Sequence, residues 1–116
     1  MTREQYTDSE WNSKQTRLRR GTTFLSQVRK LAGWTTKNCR VSSNKGGPAV
    51  DGECTLHSET LYIHLEPRRF SYARRACLSK NDCGSGMRSP NIEIPKAAML
   101  TPAAMVAWLE RAGLLR

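Results

Sequence analysis

Two long stretches of the chain have no acidic residue: Trp11 to Val50, and Pro67 to Asn81. That absence excludes a helix surface laced by i,i+4 ion pairs of opposite sign, the usual support of a solvated helix. No stretch reaches the roughly 18 apolar residues of a membrane span. The segment MTREQYTDSEW has no apolar h-region, so no secretory leader is expected and a cytoplasmic location is. The four cysteines (Cys39, Cys54, Cys77, Cys83) include no CxxC pair, which removes the strong form of a zinc-finger reading. Signatures of RRM, KH, zinc-finger and Walker modules are also missing, and Gly46-Gly47 has neither the context nor the Lys-Ser/Thr ending of a phosphate loop. No internal repeat or low-complexity tract is visible.

What is present is positive charge. The 116 residues hold 19 Lys and Arg against 10 Asp and Glu, a net charge of +9. Thirteen of those cations are Arg, whose planar fork of donors suits phosphates and base edges. The first acid-free run carries Lys14, Arg17, Arg19, Arg20, Arg29, Lys30, Lys37, Arg40 and Lys45; the second carries Arg68, Arg69, Arg74, Arg75 and Lys80. A long run of one sign repels itself and favours a polyanionic partner. The leading expectation is a small basic protein that grips nucleic-acid phosphates, DNA or RNA, without catalysis. The candidate contacts are Lys14, Arg17, Arg19, Arg20, Arg29, Lys30, Lys37, Arg40, Arg68, Arg69, Arg74 and Arg75. The alternative is a phage-like mobile-element protein that docks its positive face on a host protein or nucleoprotein complex and modulates it.

One domain of α+β class is expected over residues 1–116: an N-terminal helical segment, a small antiparallel sheet of three to four strands, and a C-terminal helix packed on the sheet. Residues 1–6 are expected to be flexible. Thr7-Asp8-Ser9-Glu10 fits a capping box, so helix begins at residue 7. Trp11, Leu18 and Leu25, then Phe24, Val28, Leu31 and Ala32, form its apolar stripe, and Gly33 stops it. Gly21-Thr22-Thr23 leaves two readings: a split into two helices, or one helix crossing Gly21 at about 1 kcal/mol. Strands are expected mainly over 37–78, a loop over 81–91, a short edge strand at Ile92-Glu93-Ile94, and a helix over 101–113 opened by Thr101-Pro102. Oligomeric state stays open, because Trp108 and Leu114-Leu115 suit either the core or a partner.

The segment CTLHSETLYIHLEPRR, 54 to 69, concentrates reactive side chains. Cys54 and His57 have metal-like CxxH spacing, but residues three apart on a strand point to opposite sides. Leu61, Ile63 and Leu65 share one parity while Cys54 and Leu56 have the other. A turn or bulge near His57-Ser58-Glu59 would flip the register and put all five in the core. Thr55, His57, Tyr62, His64 and Glu66 would then share the other face. His57 and His64 are the candidate acid–base pair of a small metal-independent ribonuclease, with Arg on the scissile phosphate. Zinc, if bound, would draw on Cys77 and Cys83 with Cys39 or a histidine; otherwise no cofactor is expected, and buried thiols act as small apolar groups. Phe70 and Tyr72 are expected to fill the core, with base stacking beside Arg74 as the other reading.

Overall fold

The computed structural model describes residues 7–44, 53–58, 60–66, 71–75 and 91–115. The expected flexible N-terminus, the expected 81–91 loop (apart from Asn91), Arg68, Arg69, Phe70, Cys77 and Cys83 lie outside those residues. The architecture is α+β. Helix α1 (Asp8–Leu31) leads into strands β1 (Cys39–Asn44), β2 (Glu53–Ser58), β3 (Leu61–Leu65), β4 (Tyr72–Arg75) and β5 (Ile92–Glu93). A 3₁₀ turn (Lys96–Met99) and helix α2 (Pro102–Arg111) follow. Each strand pairs antiparallel with the next, in the order β1-β2-β3-β4-β5.

Among the described residues five strands form where three to four were expected. The segment from Glu53 folds back on itself after Ser58 instead of running on. Ser58 Oγ accepts from the backbone of Leu61 (3.0 Å) and of Thr60 (3.3 Å), the hydroxyl-to-backbone bonding that stabilises tight turns. The reversal sets Cys54 against Leu65 and Leu56 against Ile63. All of these side chains are buried, so the parity conflict in the sequence is resolved by a hairpin.

α1 is one unbroken helix. Its capping box is complete: the Glu10 backbone donates to Thr7 Oγ1, and the Thr7 backbone donates to Glu10 Oε1, both at 3.1 Å. Those bonds hold the Glu10 carboxyl below its ordinary range. At the far end Gly33 takes φ +80°, and backbone bonds from Gly33 to Lys30 and from Trp34 to Arg29 close the last turn. Gly21 does not break the helix, because the sheet requires it there: a Cβ at that position would meet Cys54 Sγ at 2.5 Å. The buried stripe is Lys14, Leu18, Leu25 and Val28. Leu31, expected in the stripe, is the last residue of the helix and is 57 % exposed.

α2 starts with Thr101 Oγ1 accepting from Ala104 (3.0 Å) and with Pro102 in the first turn. It packs against α1 and the 3₁₀ turn. Through them its buried Met105 and Leu109 join the core formed by Leu18, Leu25 and Val28 of α1 with Leu56, Leu61 and Ile63 of the sheet.

Candidate nucleic-acid interface

Alternation along the strands sorts the other side chains onto the outer sheet face. Antiparallel register lines them up in rows across the strands. One row reads Arg40, His57, Tyr62, Arg74. The next reads Ser42, Thr55, His64, Tyr72, Glu93. Glu53 on β2 and Glu66 just beyond β3 lie past the second row. The face is therefore graded: cationic at one side, aromatic in the middle, acidic at the other.

The cationic side is continuous with the α1–β1 connection. Lys37, Arg40 and His57 line one surface hollow with Thr36, Asn38, Cys39 and Ser58. Arg29 lies close enough to Cys39 to favour its thiolate, although burial is the larger effect and pushes that thiol up. From this hollow the row continues inward. His57 meets Tyr62 edge-on at 5.8 Å between centroids, and the Arg74 guanidinium sits 4.7 Å over the Tyr62 ring. With strands about 4.8 Å apart, Arg40 and Arg74 are about 14 Å apart across the sheet.

The aromatic middle holds His64 in place. Its ring stacks on Tyr72 at 4.8 Å and 8°. Tyr62 Oη lies 3.2 Å from Nδ1, and Nε2 lies 2.7 Å from Glu66 Oε1 and 3.5 Å from Glu53 Oε2. A proton on Nε2 donates to Glu66; in a neutral ring, Tyr62 then donates to Nδ1. Burial, with Tyr72 adding to it and Arg74 opposing, raises the Tyr62 hydroxyl above its ordinary range and keeps it protonated. Because Tyr72 and Tyr62 turn their ring faces to His64 and Arg74, they form a standing wall of rings. Tyr72, expected in the core, belongs to this wall.

The remaining candidates divide by placement. Arg19 and Arg20 are exposed on α1 and line a shallow hollow with Thr23, Phe24 and Gln27. Lys30 is exposed, and Arg17 is half-buried. Arg75 pairs with Leu61, so it lies on the helix-facing side of the sheet, exposed at the end of β4. Lys14 is corrected: its side chain is 0 % exposed inside the helix stripe, so it is part of the packed interior and not a surface phosphate contact. Among the metal candidates, Cys39 is a buried free thiol within the core. Cys54 is also free and buried, and its Sγ donates to the Leu18 carbonyl at 3.5 Å. His57 is exposed and His64 is 8 % exposed and tied to Glu66, so the proposed histidine pair has very different surroundings on its two sides.

Glu53 escaped the sequence reading. The signal was there: once the chain folds back near Ser58, pairing of Cys54 with Leu65 brings Glu53 opposite Glu66.

No family model matches the chain, and neither a curated protein nor a solved structure matches it. Among the described residues no helix is long and apolar enough to cross a membrane.

Proposed function

We propose that the protein binds nucleic acid by its phosphates, along a basic track that begins at the α1–β1 connection and crosses the outer sheet face. The observation that carries this reading is the gathering of Lys37, Arg40 and His57 around one hollow, with Arg29 behind it and Arg74 farther along the same row. Cations converging on a concave surface raise the local potential and attract a polyanion. Exposed Arg19, Arg20 and Lys30 on α1 extend the positive surface. The wall of rings shapes the track's inner margin and gives it an apolar side.

The test is fluorescence anisotropy with labelled single- and double-stranded DNA and RNA over a salt series. Log affinity should fall linearly with log salt, with a slope set by the number of phosphates engaged. The double variant Lys37→Glu/Arg40→Glu should weaken binding to every sequence and flatten that slope by about two contacts' worth, roughly 1.4 for single strands or 1.8 for duplex. Arg111→Glu, on the far helix, should leave it unchanged. Wild-type protein that binds none of the four polymers at low salt, or a double variant that binds with wild-type affinity and slope, overturns the reading.

A further inference from the structure

We infer that Glu53, His64 and Glu66 form a site for one divalent first-row transition-metal ion, Zn²⁺ foremost, at the acidic side of the outer sheet face. One ligand atom from each residue lies within 4.8 Å of the other two. The inference stands apart from nucleic-acid binding: it rests on different residues and does not need the basic track.

Three features carry it. The first is the donor set. An imidazole nitrogen with two carboxylate oxygens supplies three protein ligands and leaves a fourth position open, the pattern of three-ligand zinc centres. The imidazole disfavours Ca²⁺ and Mg²⁺, which prefer all-oxygen shells.

The second is spacing. Ligand bonds of about 2.0–2.1 Å in a tetrahedron place neighbouring donor atoms about 3.3–3.4 Å apart. His64 Nε2 to Glu53 Oε2 already measures 3.5 Å. His64 Nε2 to Glu66 Oε1, at 2.7 Å, is a hydrogen bond that opens by well under 1 Å when a metal replaces the shared proton.

The third comes from outside the three ligands. A metal-binding histidine is usually oriented by a partner on its other nitrogen. Here Tyr62 Oη sits at Nδ1 and Tyr72 stacks flat on the ring. Together they fix the ring plane and aim Nε2 at both carboxylates. When the metal takes Nε2, the single proton of the neutral ring passes from Nε2 to Nδ1 and donates to Tyr62 Oη, whose own proton turns away from the ring; only a doubly protonated ring would also release a proton to solvent. A surface ion pair needs no such orientation. The side chains of His64, Glu53 and Glu66 are also only 10 %, 20 % and 17 % exposed, so the ion would be largely shielded from water.

The test uses the full chain, stripped with chelator and titrated with Zn²⁺ by calorimetry and with Co²⁺ by absorption. One equivalent should bind and raise the thermal midpoint. The Co²⁺ form should show visible ligand-field bands without the near-ultraviolet charge-transfer band of a thiolate ligand, which separates this site from one built on cysteines. Glu66→Gln and Glu53→Gln keep side-chain size and should each lower affinity at least tenfold; His64→Ala should abolish binding. Wild-type protein that takes up no Zn²⁺, a cobalt spectrum dominated by thiolate, or folded Gln variants that bind like wild type would each overturn the assignment and leave an ion pair only. If a variant does not fold, the wild-type cobalt spectrum still decides.

Discussion

Gly21 of α1 faces Cys54 of β2 so closely that a methyl group on Gly21 would lie 2.5 Å from Sγ and 3.2 Å from Cβ of the cysteine. The helix therefore lies nearer to the sheet here than any side chain would permit. Helix propensity alone predicts that Gly21→Ala gains about 1 kcal/mol. The packing predicts the opposite, a net loss of about 1–2 kcal/mol from overfilling. In a Cys54→Ala background the sulfur is gone, and Gly21→Ala should become neutral or stabilising. Urea denaturation of the four members of this cycle checks the coupling.

Lys14 and Arg20 lie on one helix but should fail in different assays. Lys14→Ala empties buried space and should cost about 2 kcal/mol or more in urea melts, with polymer affinity unchanged where the protein is folded. Arg20→Ala should leave stability within about 0.5 kcal/mol and weaken nucleic-acid binding. A Lys14 variant that folds like wild type but loses binding would contradict its interior placement.

The Cys54 thiol is pushed up to about 11, chiefly by burial, with the Glu53 charge adding. In the unfolded chain it releases its proton near its ordinary value of 9.0. Between those two values the unfolded state holds fewer protons than the folded one, so stability should fall as pH rises from about 9 toward about 11. Cys54→Ala should flatten that fall in pH-dependent melts. In the native protein at neutral pH, Cys54 should resist alkylation until denaturant is added.

Thr7→Ala and Thr101→Ala each remove a helix cap and should each cost about 1 kcal/mol. The two caps belong to different helices and share no hydrogen bond, so the losses should add. The depressed Glu10 carboxyl gives the α1 box an acid limit: its contribution is present above the ordinary carboxylate range and is lost as pH falls below it.

Local chemistry made much of this fold legible. The capping box at Thr7, the stop at Gly33, Thr101-Pro102 and the parity change near Ser58 each involve residues within a few positions of one another. What escaped depends on distant pairing. At Gly21 the sequence leaves a split and a continuous helix both open, because only the glycine's cost is visible there; the sulfur it makes room for is on another element. Lys14 looked like surface because charge predicts exposure, yet the α1 stripe turns it inward. For the site, parity correctly collected His57, Tyr62, His64 and Glu66. It could not show that His64 sinks between Tyr72 and two glutamates while His57 stays at the surface. That difference comes from β4 covering one side of β3 and from Glu53 arriving across the hairpin.

The graded outer face also has a directional consequence. The overall surplus of +9 attracts any polyanion from a distance, but it does not say how the strand should lie. At close range the Glu53–Glu66 side, when it holds no metal ion, would repel what the Arg40–Arg74 row attracts, so the face would act on an incoming polyanion as a torque as well as a pull. On the proposed reading, a strand settling there would be turned along the basic row and kept off the acidic margin. Nucleic acid bound as proposed would thus be given a heading, and whatever follows on the same strand would be presented at a fixed angle to the sheet.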